Sequence, residues 1–160
     1  MCIRDRVQFV LGLTAKSGFI FGDAGPFFTE LYSMGGVQFG IPLRGYNEFS
    51  ITPNGYDPNA SSGQASVNAF GKSFAAFTVE AGARISGALY LDTFLDAGNV
   101  YRDAREYVPT RLFRGAGFGA AVVSPLGPLG IDIAYGFDKV DVFGRPAPGW
   151  QLHFKLGNTF

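Results

Sequence analysis

Large apolar residues recur at every second position through most of this chain. In the stretch 129–137, Leu129, Ile131, Ile133, Tyr135 and Phe137 point one way, and Gly130, Asp132, Ala134 and Gly136 the other. That is the period of a strand with two unlike faces, not the 3.6-residue period of a helix. The carboxy-terminal segment repeats it. Trp150, Leu152, Phe154, Leu156 and Phe160 alternate with Gln151, His153, Lys155, Gly157 and Thr159, with Asn158 as the one lapse. Further strands are predicted at 7–19, 30–36, 74–84, 88–101 and 111–123, about seven in all, whereas stretches apolar at helical spacing are scarce and broken by Gly. The fold class is therefore all-β and antiparallel.

Strand lengths come close to the roughly 9–11 residues with which a tilted strand crosses a bilayer. The connections alternate between tight turns at 85–87 and 124–128 and long polar segments at 37–73, 102–110 and 138–148. Short turns at one end and long loops at the other describe a transmembrane β-barrel of the outer-membrane type, with the short side periplasmic. An odd count of about seven leaves two unpaired edges, so an incomplete open sheet is predicted rather than a closed barrel. The charged start, residues 1–6, crowds against a strand-like run and reads as foreign to it; the barrel part is 7–160. Those first six residues have no apolar stretch of the kind a signal peptide carries.

Composition narrows the chemistry. The 160 residues hold 13 basic and 13 acidic side chains, which removes the electrostatic term that dominates binding to DNA or RNA, so nucleic acid is not a partner. One Cys, Cys2, and one His, His153, leave no disulfide framework and no Cys/His metal cluster. No motif marks a Ser to pair with His153, as an outer-membrane phospholipase would require, and His153 reads as a polar lumen residue. The chain is expected not to be an enzyme and to need no cofactor. The longest charge-free run, 115–131, carries five Gly and two Pro in 17 residues and cannot be a membrane-spanning helix.

A soluble lipocalin-like binding barrel is the alternative for a chain of this length. Two features count against it. The side opposite the large apolar residues is lined by Gly, Ala and isolated charges (Glu80, Arg84, Asp132, Lys155), too small and polar for the outside of a soluble barrel. Aromatics also gather at strand ends, at Tyr101, Phe137, Trp150 and Phe160, where interfacial girdles lie.

Four motifs stand in order: Met34-Gly-Gly-Val-Gln-Phe-Gly-Ile-Pro-Leu-Arg-Gly-Tyr46, Phe94-Leu-Asp-Ala-Gly-Asn-Val100, Ser124-Pro-Leu-Gly-Pro128 and Gly157-Asn-Thr-Phe160. Each is weak alone, but their order and spacing resemble the carboxy-terminal half of the barrel of the Omp85 superfamily, and within it the BamA-like branch that inserts other barrels into the bacterial outer membrane. The resemblance implies a barrel of about sixteen strands of which this chain supplies the second half. It also implies periplasmic POTRA domains that are not part of this chain. Partners so implied are outer-membrane lipids, client β-barrel proteins and accessory assembly lipoproteins reached through those domains. A TamA-like or two-partner-secretion translocation pore shares the same motifs.

The resemblance further implies that Arg44, Gly45 and Tyr46 sit on a loop, 37–73, that folds into the lumen. An arginine there needs a carboxylate partner. Asp96 matches the family position of one, and Glu80 on the preceding strand that of another. On alternation Glu80 shares its face with Thr78, Gly82 and Arg84, while Asp92, Phe94 and Asp96 share one on the next strand. Phe94 fits a polar lumen only by packing under the inserted loop. The terminal segment, with Trp150, Leu152, Phe154, Leu156, Gly157 and Phe160, is implied to be both last strand and assembly signal.

Overall fold

The computed structural model describes residues 7–22, 30–60, 67–125 and 127–156. Six long strands form one antiparallel sheet: β1 (Gln8–Phe19), β4 (Ser73–Arg84), β5 (Leu89–Tyr101), β6 (Phe113–Ser124), β7 (Gly127–Gly136) and β8 (Gly149–Leu156), paired in that order. Two short strands, β2 (Ile51–Thr52) and β3 (Gly55–Tyr56), pair with each other inside the long excursion between β1 and β4. The sheet is open: β1 pairs only with β4 and β8 only with β7 among the described residues. No described helix is long and apolar enough to cross a membrane.

The two faces of the sheet follow the sequence alternation. Phe9, Leu11 and Leu13 on β1, Leu91 and Leu95 on β5, Ile131 and Ile133 on β7, and Trp150, Leu152, Phe154 and Leu156 on β8 all stand exposed on one side. So wide an apolar surface does not stay in water; it is the lipid-facing band of a transmembrane barrel. Rings close together at the long-loop end. Tyr135 lies 5.2 Å from both Phe137 and Trp150, and Phe19 4.8 Å from Tyr107. They mark the interfacial girdle.

One expected strand is absent. Residues 30–36 do not join the sheet; Tyr32 bridges Gly71, Met34 bridges Ile41 and Ile51, and Gly36 bridges Leu43. The apolar positions that suggested a strand are instead the core of the folded excursion. Met34, Leu43, Tyr46 and Ile51 are buried together against Phe74, Ala76 and Val100 of β4 and β5. Gly35 and Gly36 both take positive φ, which interrupts extended backbone at that point. The lumen loop is accordingly longer than 37–73: the chain leaves β1 after Phe19 and rejoins the sheet at Ser73. Among the described residues the all-β, antiparallel, open sheet has six long strands where about seven were expected, and β8 is described to Leu156. Gly157 and Phe160 lie outside the described residues.

Register brings the inner-face residues into rows. Gly82, Asp92, Gly119, Asp132 and His153 lie across from one another on successive strands; Glu80, Phe94, Gly117, Ala134 and Gln151 form the next row; Thr78, Asp96, Gly115, Gly136 and Gly149 the next. Acids and rings on β4, β5, β7 and β8 thus surround a strand, β6, that offers only glycine in these three rows.

Candidate functional site: the loop tip in the lumen

The tripeptide Arg44-Gly45-Tyr46 lies on the inner face, and each residue reaches different strands. Arg44 is 6% exposed. Its Nε donates to Asp96 Oδ2 at 2.6 Å and its Nη2 to Asp96 Oδ1 at 2.8 Å, the bidentate fork that suits a guanidinium, while its backbone N–H also donates to Oδ2 at 3.3 Å. Nη1 donates to Glu80 Oε2 at 3.1 Å and stands 3.8 Å from Asp132 Oδ2. The guanidinium is stacked on Phe94, with its central carbon 3.4 Å from the ring centroid, so that ring does pack under the loop. Burial works against the Arg44 charge, but the hydrogen bond and charge of Asp96, helped by Asp132 and Glu80, outweigh it and hold its pKa above the usual arginine value.

Gly45 is needed for both space and conformation. Its φ is +93°, and a Cβ there would sit 3.0 Å from the backbone N of Gly136 and the carbonyl carbon of Tyr135. Its N–H donates to Nε2 of His153 at 3.0 Å. Tyr46 is fully buried, and its hydroxyl donates to the Arg114 carbonyl at 2.7 Å and accepts the Asp138 N–H at 3.1 Å. Burial pushes the Tyr46 hydroxyl well above the ordinary tyrosine range, so it remains a proton donor. Lys139 lies beside this ring, its amine 5.9 Å from the ring centroid, and burial lowers its pKa. The loop is braced behind its tip by Glu48, whose carboxylate accepts the N–H groups of Val37, Gln38 and Phe39 at 2.6, 2.9 and 3.2 Å.

The structure therefore brings Arg44, Gly45, Tyr46, Asp96 and Glu80 into one cluster. Trp150, Leu152, Phe154 and Leu156 stand apart from it on the lipid side of β8. Three participants were not singled out as site residues: Asp132, His153 and the β6 glycines. Asp132 forms an ion pair with Lys155 at 2.5 Å as well as facing Arg44. A Cβ on Gly115 would run into the Arg44 carbonyl, and one on Gly117 into Phe94. The signal for His153 was its alternation with Leu152 and Phe154, which turns it inward. The alternation Gly115, Gly117, Gly119 was the signal for a surface approached closely by backbone.

Buried charge on a sheet's inner face, apolar side chains on its outer face and a long loop folded back between them define a transmembrane β-barrel protein with an occupied lumen. Such a site holds and positions; among the described residues no group of three or more His, Cys, Asp or Glu side chains is arranged to hold a metal ion. The Omp85 superfamily domain matches residues 3–160, and the chain belongs to that superfamily of outer-membrane protein insertion and translocation. No curated protein matches the sequence.

Proposed function

We propose that the chain is the carboxy-terminal part of the barrel of a BamA-like insertase in the bacterial outer membrane. The observation that carries this reading is the loop tip docked on the inner face, with Arg44 clamped by Asp96 and Glu80, under strands whose outward side chains are exposed and apolar; the insertase reading adds an imperfectly closed seam beside β8 in the whole barrel. An unpaired edge is a template for a strand of another protein. A client strand that pairs there enters hydrocarbon with its backbone groups satisfied, avoiding several kcal/mol for each group left bare. No covalent chemistry or cofactor is involved. The partners are outer-membrane lipids, client barrels, and accessory lipoproteins bound by periplasmic domains of the parent protein.

The test is reconstitution of the full-length protein into liposomes with an unfolded client barrel, followed by the heat-modifiable mobility of the client. Acceleration over empty liposomes, abolished when the β8 edge is closed by an engineered disulfide, is the expected result. Client insertion at the unassisted rate, together with passage of an exported polypeptide, would assign the protein to the TamA-like or two-partner-secretion pores instead. The terminal segment is tested separately: deleting Phe160 should lower the yield of inserted barrel while leaving synthesis unchanged.

A further inference from the structure

The β8 strand is held from two directions. Along the sheet it is laddered to β7, and from within the lumen it is held by residues that also hold the loop tip. His153 is buried, and its Nε2 accepts the Gly45 N–H across 108 positions of sequence. Accepting at Nε2 fixes the neutral tautomer with its proton on Nδ1. The next inward residue, Lys155, reaches Asp132, which faces Arg44 on its other side. Gln151 and His153 also line a cleft of about 320 Å³ between β8 and loop residues Val37, Gln38, Phe39, Asn47 and Glu48. The inner face of the edge strand thus touches the loop at the ring, faces it across the cleft at Gln151, and on the other side of the ring is tied at Lys155 to the Asp132 that faces Arg44.

We propose that His153 is a positioning residue that couples docking of the loop tip to the geometry of the β8 edge. Asp96 clamps Arg44, Arg44 fixes Gly45 against the backbone of Tyr135 and Gly136, and Gly45 holds the imidazole. Withdrawal of the tip removes the donor from His153 and leaves β8 with the β7 ladder and the Lys155–Asp132 pair alone. The edge offered to a partner strand then differs between docked and withdrawn loop. This coupling concerns β8 and the loop only; it rests on the insertase reading for its consequence to clients. The test reads amide exchange rather than client insertion, so the two can fail separately.

The experiment is a double-mutant cycle on the full-length protein in lipid nanodiscs, with hydrogen exchange of the β8 amides as readout. Arg44→Ala and His153→Leu should each speed β8 exchange about tenfold, in keeping with the loss of a buried hydrogen bond. The double variant should exchange no faster than either single one. His153→Gln, whose side-chain oxygen can accept the Gly45 N–H, should restore most of the protection. Additive effects, no change in β8 on Arg44→Ala, or equal acceleration of β1 would overturn the proposal. If His153→Leu fails to assemble, His153→Asn, too short to reach Gly45, takes its place with the same criteria.

Discussion

The two outermost strands of the sheet among the described residues, β1 and β8, have different interiors. No residue of β1 is buried on either face; Thr14 and Lys16 of its inward positions stand exposed and Gly12 half-buried, and the loop meets β1 at Gly18, beneath the ring of Tyr32, where the excursion departs. On β8, His153 is buried, Lys155 is paired and Gln151 borders the loop. The excursion starts from the end of β1, yet its tip reaches over β4 to β8: Glu80, Asp96, Arg114, Asp132 and His153 all touch it. An edge strand's readiness to pair is therefore set by what grips its inner face as well as by its unpaired amides.

The largest expected effect comes from Arg44→Ala, which leaves the nearly fully buried Asp96 without its counter-ion. Removing one partner of such a pair costs about 3–5 kcal/mol. Limited proteolysis should then cut the loop between 33 and 51, with β8 loosened and β1 unchanged; equal loosening of both edges would abolish the contrast between them. Gly45→Ala should follow, at about 1–3 kcal/mol, because a side chain is forced to positive φ against the β7 backbone. Proteolysis at the same sites, with Arg44 retained, checks it.

Tyr46→Phe removes a hydroxyl that both donates and accepts, and should weaken docking by about 1 kcal/mol. Its trace belongs in the exchange rates of the Asp138 amide and the neighbouring end of β6, not in β1. The smallest effect is that of acid on Asp138. The side-chain hydrogen bond from Arg114, at 3.1 and 2.8 Å, holds its carboxyl below the usual range. A depressed carboxylate contributes stability above its ordinary pKa and loses it as pH falls through the folded value. Since Arg114 is exposed, the gain is small and salt-sensitive. Acid below the ordinary carboxylate range, and not mild acid, should loosen the connection after β7, and Asp138→Asn should remove that response.

Alternation made most of the sheet legible because a strand with one lipid face and one lumen face writes its period directly into the sequence. It placed Glu80, Asp96 and His153 on the inward side. It failed at 30–36 because Tyr32 and Met34 alternate for another reason: they bury into the excursion's own core, and period two does not say what a residue packs against. Arg44 and its acidic partners were named on resemblance, since composition and spacing alone would leave each a solvated charge. Asp132 and His153 could not be joined to them without the register that sets the two opposite each other on β7 and β8. Register is a long-range property that no single segment encodes.

Gly115 and Gly117 make no ion pair, yet one lies against the Arg44 carbonyl and the other against the Phe94 ring on which the guanidinium is stacked, and together they set how far the loop sinks. Arg44 and Phe94 approach this strand at the level where a methyl group would stand. Depth in the lumen is then controlled by missing atoms. One added carbon on β6 should lift the whole tip and stretch the Asp96 and His153 contacts together, although neither residue has been touched. Substitutions that free the loop without altering any charge are to be sought on this strand, whose outward neighbours Ala116, Phe118 and Ala120 can meanwhile vary with the lipid.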